Sequence, residues 1–133
     1  MDMTPEFILL AFTLILAIVQ IFAASTARTL ELGAKWNAGP RDGAEPTPGK
    51  YSGRLLRAQA NLFETLPIFA AAVIMAHVAG KDGQLTFLGT HLYFFARVAY
   101  VPLYALGVTY VRSLAFLASL VGLVMVIAAL FVA

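Results

Sequence analysis

The sequence contains no cysteine. Disulfide staples, thiolate metal sites and a protein thiol nucleophile are therefore excluded, and any thiol chemistry here needs a thiol carried in by a ligand. Charge is scarce as well: 12% of the 133 residues are Asp, Glu, Lys or Arg, against 61% hydrophobic. A soluble domain carries about 25% charged and about 45–50% apolar residues. Half the usual charge is too little to coat a globular domain, which excludes a soluble monomer, a disordered chain and a basic nucleic-acid binder. Nine Lys+Arg against seven Asp+Glu leave a net charge of +2. That sets no strong long-range field, so the charges act by position. No metal-ligand spacing, glycine-rich phosphate loop or Ser/His/Asp order is present.

What is there is long apolar runs. A bilayer core about 30 Å thick takes roughly 20 apolar residues per helix. Four stretches fit: Phe7 to Ala24, Leu55 to Ala79, Leu85 to Val111 and Ser113 to Ala133. The expected architecture is an all-α integral membrane protein, a single four-helix domain over 1–133 with helices at about 5–35, 54–79, 84–107 and 111–132. The first run follows Asp2 and Glu6 with no preceding Lys or Arg and is too long for a signal peptide, so it reads as a retained helix. Thr4 suits its N-cap, Pro5 its first position and Glu6 the positive end of its dipole. The stretch 36–53 holds Pro40, Pro46 and Pro48 with Gly39, Gly43, Gly49 and Gly53, a loop composition. Gly80 to Gly83 reads as a tight turn, and Pro102 as a kink in the third helix.

Lys/Arg asymmetry sets the expected direction. Arg28, Lys35, Arg41, Lys50, Arg54 and Arg57 flank the first loop and Arg112 the third, whereas the other side has only Lys81. Both termini are expected to face away from the cytoplasm, in a multi-pass protein of a bacterial inner membrane.

Charged groups inside a membrane are costly and mark function by default. Arg57, Asn61 and Glu64 share one face of the second helix at i, i+4, i+7 spacing, and Arg97, Tyr100 and Tyr104 share one face of the third. Arg57 and Glu64 are roughly 10.5 Å apart along the axis and do not readily neutralise each other. Counting depth along the two antiparallel helices puts Arg57 level with Tyr104, Asn61 with Tyr100 and Glu64 with Arg97. A buried pair Glu64–Arg97 is the expected lock. The bland reading is that such groups glue helices together or sit at the interface: Asn between helices, Arg57 and Arg112 snorkelling, Tyr100 and Tyr104 in an aromatic belt, Arg28 solvated. As a set they instead suggest a recess for an amphiphilic anion beside a lipophilic compound. His77 and His91 fall near the opposite face and read as structural.

The run Arg57-Ala58-Gln59-Ala60-Asn61-Leu62-Phe63-Glu64-Thr65-Leu66-Pro67 resembles the second-helix signature of the MAPEG family, membrane-associated proteins in eicosanoid and glutathione metabolism. Arg97-Val98-Ala99-Tyr100, then Tyr104 and Arg112-Ser113, look like its third- and fourth-helix positions in the leukotriene-synthase-like and microsomal glutathione transferase members. The resemblance implies a homotrimer of four-helix subunits, with glutathione as cosubstrate between neighbouring subunits near the cytoplasmic side. It assigns glutathione contacts to Arg28, Arg57, Asn61, Glu64, Tyr100 and Tyr104, stabilisation of the thiolate to Arg112, and makes Arg112 and Tyr100 the candidate catalytic residues. Glutathione carries two carboxylates and one ammonium, which match arginines and Glu64 by charge-assisted hydrogen bonds.

The expected activity is a glutathione transferase or peroxidase acting on lipophilic electrophiles dissolved in membrane lipid, with no metal and no nucleic-acid partner. Two departures support an alternative, a non-enzymatic lipid-binding or scaffolding protein: Thr65 stands where the leukotriene-synthase-like branch has tyrosine, and the turn before Arg112 is about a residue longer. A small four-helix exporter with Glu64 as its titratable carboxylate is a third reading, but a pump has no need of the surrounding arginines.

Overall fold

In a computed structural model, which describes residues 2–44 and 47–132, five helices follow one another. They are α1 (Pro5–Leu32), α2 (Ala34–Ala38), α3 (Lys50–Val78), α4 (Gln84–Ala105) and α5 (Thr109–Ala129). Among the described residues there is no strand. Pro46 of the expected loop and Ala133 at the end of the expected last run lie outside them.

Local chemistry explains the ends. Thr4 caps α1 by accepting the Phe7 N–H at 3.2 Å, with Pro5 in the first turn. The helix stops at Leu32 rather than running to about 35, because Gly33 takes φ 94°, a conformation that breaks the ladder cheaply only at glycine. α3 begins at Lys50, four residues before the expected start of 54. Its first N–H groups are satisfied from outside the loop: the Glu31 carboxylate on α1 accepts from the N–H of Tyr51 (3.2 Å) and of Ser52 (3.1 Å) and from the Ser52 hydroxyl. The Thr86 hydroxyl does the same for α4, accepting the Gly83 N–H at 2.9 Å.

Four contacts order the bundle. Thr86 donates to Glu6 at 2.9 Å, joining the starts of α1 and α4. Lys81 donates to the Val132 carbonyl at 2.8 Å, putting the end of α5 beside the α3–α4 turn. At the opposite end Glu31 ties α1 to α3, and Arg54 donates to the Ala105 carbonyl at 3.1 Å, tying α3 to the end of α4. So α1 and α4 run one way, and α3 and α5 the other. Leu10, Ala17, Leu62, Phe69, Ala72, Val73, Tyr93, Leu123 and Val126 from these four helices form the core. The Tyr93 ring stacks on Phe69 at 3.9 Å between centroids, and its hydroxyl meets the Thr65 hydroxyl at 2.8 Å.

The outside is as apolar as the inside. Ile15, Ile18, Phe22, Ile74, Met75, Phe95, Leu114 and Val121 are all exposed, the pattern of helices whose outer face meets lipid rather than water. α1, α3 and α5 are each long and apolar enough to cross a membrane. α4, at 22 residues, is about 33 Å long and so has the length. Its Gln84, Thr86, Thr90, His91, Arg97 and three tyrosines keep it out of that apolar class.

α4 and α5 cross at a glycine pair. A Cβ on Gly122 would lie 2.6 Å from the Gly89 carbonyl oxygen and 2.7 Å from the Tyr93 nitrogen, both backbone atoms that cannot swing away. Such close approach through small residues is how helices pack tightly in lipid. Gly122→Val is therefore expected to force the two helices apart and destabilise the fold by about 1–3 kcal/mol, the usual cost of overpacking. Thermal unfolding in detergent measures it, and an unchanged midpoint would show that the crossing has slack.

Candidate functional site

The polar residues of α3 and α4 meet in the arginine-rich half of the bundle, beside the start of α3 and the end of α4. Arg57 Nε donates to the Tyr104 hydroxyl at 3.1 Å, the rung expected from helix depth. The Arg112 guanidinium lies 4.5 Å from the centroid of the same Tyr104 ring, and that of Arg57 5.8 Å. One phenol thus has two cations within reach of its ring, which its quadrupole favours. Tyr100 follows 5.5 Å away, centroid to centroid, and the Arg97 guanidinium packs 4.6 Å from the Tyr100 centroid.

The deeper rungs are offset from expectation. Arg97 Nη1 donates to the Asn61 carboxamide oxygen at 2.7 Å. Asn61 therefore meets Arg97 rather than Tyr100, because the long arginine reaches a turn along its own axis to find the acceptor. Among the described residues no ion pair joins Glu64 to Arg97. Three residues beyond Asn61, Glu64 is rotated by about 60° and displaced by about 4.5 Å. That turns its side chain out of the bundle, where it is exposed. The expected lock Glu64–Arg97 is corrected: Arg97 is locked to Asn61, and Glu64 faces outward. Glu64→Ala should accordingly leave the fold of the single subunit intact.

Arg28 stands apart from the cluster. It lines a recess of about 160 Å³ with Ser25, Asn37, Arg41 and Gln59, between α1 and the start of α3. Tyr100 and Arg97 are buried, at 4% and 1% exposure, whereas Arg57 and Glu64 are exposed and Asn61, Tyr104 and Arg112 half-buried. The cluster therefore grades from buried to open, and its open side is the outer surface of the subunit.

One supporting residue and one buried polar group lie outside the stripes of α3 and α4 that form the cluster. Arg54 fills the corner between α4 and α5: a Cβ on Gly107, which has φ 72°, would strike its guanidinium at 2.9 Å. By holding that corner Arg54 positions Tyr104 and Arg112 on either side of it. Its one sequence signal is its place three residues before Arg57, on the same helix face. Gln20 is the other: at 2% exposure it is buried on α1, and neither carboxamide atom has a hydrogen-bond partner among the described residues. His77 and His91 lie far from the cluster. His77 bonds Asp82 at 2.5 Å and packs on Phe7 at 4.4 Å, and His91 bonds the Phe87 carbonyl at 2.7 Å. No group of three or more His, Cys, Asp or Glu able to hold a metal ion occurs among the described residues.

The profile of the MAPEG family matches residues 9–132, which takes in both polar stripes and Arg112. The chain belongs to the MAPEG family. No curated protein and no solved structure was found to match it. MAPEG proteins are membrane proteins, and they include glutathione-dependent enzymes as well as members without enzymatic activity. In this MAPEG protein the open part of the cluster offers two arginines, a carboxylate, an amide and a phenol. Those groups can bind anions, an ammonium and a polar backbone. With no cysteine in the chain, a thiol has to come from the bound partner.

Proposed function

We propose that the protein is a membrane-embedded glutathione transferase or peroxidase acting on lipophilic electrophiles, with glutathione held between subunits of a homotrimer that crosses the bilayer four times per chain. The observation that carries this reading is the Arg57–Tyr104–Arg112 contact continuous with Tyr100, Arg97 and Asn61, opening on the outer surface beside Glu64. Arg57 takes a glutathione carboxylate, the outward Glu64 takes the ammonium, and Asn61 and Tyr100 bind the peptide backbone. Arg112 makes no hydrogen bond among the described residues, so its N–H groups remain available to the sulfur. Arg28 lies in a different recess of the same chain. A second subunit supplying the same arginine across the interface is the arrangement that completes the carboxylate set.

In the transferase step the glutathione sulfur attacks the electrophilic carbon. A carbon–sulfur bond forms and the leaving group departs with its bonding pair. In the peroxidase branch the thiolate attacks a hydroperoxide oxygen, the O–O bond breaks and the alcohol leaves. The sulfenate takes up a proton, and a second glutathione converts the sulfenic acid to the disulfide and water. The substrate reaches the site from lipid, which suits an apolar exterior.

Conjugation of chlorodinitrobenzene by the purified protein in detergent, with glutathione at millimolar concentration, tests the proposal. Turnover is expected. No turnover together with no calorimetric binding of glutathione overturns it, and a lipid chain co-purifying in the cleft would then favour the non-enzymatic reading.

A further inference from the structure

A sizeable cavity lies outside the polar cluster, just past the end of α1. It measures about 540 Å³ and is lined by Leu32, Lys35, Trp36, Pro40, Arg41 and Asp42, with Gly39 at its floor. Leu32, Trp36 and Pro40 give it an apolar wall. Lys35 and Arg41 put two cations on its rim against the single carboxylate of Asp42.

The wall is built rather than draped. Asn37 Nδ2 donates back to α1 at the Thr29 hydroxyl (2.8 Å) and at the Ser25 carbonyl (3.2 Å). Arg41, held at φ 57°, is fixed by three bonds from its guanidinium to Asn37: Nε and Nη2 to the carbonyl at 3.0 and 2.6 Å, and Nη2 to Oδ1 at 2.8 Å. One more guanidinium nitrogen of Arg41 and the whole Lys35 ammonium stay available. The Trp36 indole nitrogen is buried and has no hydrogen-bond partner among the described residues. Elsewhere on α1, Leu30 and Phe22 are turned outward, at 82% and 67% exposure.

We propose that this cavity is a binding site for an anionic phospholipid. Its phosphate is held by Lys35 and Arg41, and its acyl chains lie against the apolar wall of Leu32, Trp36 and Pro40. The charge fits: the cavity has a net positive rim at the cation-rich end of the bundle, where anionic headgroups attract basic residues. The shape fits too, since an indole with an apolar body and one N–H donor sits best at the boundary between tails and headgroups. The site lies away from Tyr104 and Arg112 but shares Arg41 with the recess that holds Arg28, so the Lys35 variant is the one that separates it from the glutathione reading.

Trp36 is the single tryptophan of the chain, so intrinsic fluorescence reports this site alone. The protein is placed in phosphatidylcholine nanodiscs containing equal fractions of brominated phosphatidylglycerol or of brominated phosphatidylcholine. Brominated phosphatidylglycerol is expected to quench Trp36 at several-fold lower mole fraction. Each basic residue near an anionic surface is worth about fivefold in such a preference. Lys35→Gln, which removes no intramolecular hydrogen bond, should lower the preference by about that factor. Lys35→Gln with Arg41→Gln should abolish it. Equal quenching by the two lipids, or a preference unchanged in the double variant, overturns the proposal. So does loss of quenching on adding inorganic phosphate or glutathione, which would make the cavity a site for soluble anions.

Discussion

Arg112→Ala should leave glutathione bound but no longer ionised. A free thiol has a pKa near 8.5, and lowering it by two units takes about 2.7 kcal/mol of preference for the thiolate. Arg112 is the cation best placed to supply it, with its guanidinium on the Tyr104 ring and its N–H groups uncommitted among the described residues. In the parent protein, adding glutathione should produce the ultraviolet thiolate band at neutral pH. The variant should lack the band, and turnover should fall by about 10²–10³, the usual effect of removing one preorganised electrostatic donor. The sign of the pH dependence follows. Without the cation the thiol titrates near its solution value, so the rate of the variant should climb through pH 8 to 9 where that of the parent has levelled. Arg112→Lys, which keeps the charge but not the planar fork, should recover part of the band. An undiminished band in Arg112→Ala would move the role of thiol activator to another residue, with Tyr100 the first alternative.

The second large effect is on stability. Asn61→Leu should destabilise the subunit by about 3 kcal/mol. Arg97 is at 1% exposure, and its side chain is held by the Asn61 oxygen at 2.7 Å and the face of Tyr100. Its Nε and Nη2 have no hydrogen-bond partner among the described residues. Removing the one acceptor leaves a buried cation with a ring for company. Replacing both members by apolar groups of similar size removes the liability, so Asn61→Leu with Arg97→Met should recover most of the loss. Thermal unfolding of the two single variants and the double variant in detergent gives the coupling between them. Additive effects would show that Arg97 is compensated elsewhere.

The four long helices and the two polar stripes were legible from spacing alone, because period and depth are properties of the chain before it packs, whereas the short α2 fell across the expected loop. Arg57 facing Tyr104 follows from counting residues inward from a shared end. One turn deeper the count fails, since arginine is long enough to choose among acceptors a helical turn apart, and Asn61 faces inward where Glu64 is exposed. The start of α3 was illegible for a related reason. Gly49 and Gly53 look like loop residues until Glu31, about twenty positions earlier, accepts the first N–H groups. Gly89 against Gly122 likewise reads as two unremarkable glycines in apolar runs until the backbones are seen to touch. What a sequence withholds in each case is a partner distant along the chain.

The Glu31 anchor also bears on how this protein can change through descent. Because the Glu31 carboxylate fastens the first turn of α3 to α1, Arg57 has an anchor outside the segment between them. Insertions and deletions around Asp42 to Pro48 are therefore free to accumulate across homologues without disturbing the arginine seven residues past Lys50. The carboxylate at position 31 and the hydroxyl at position 52 should vary together.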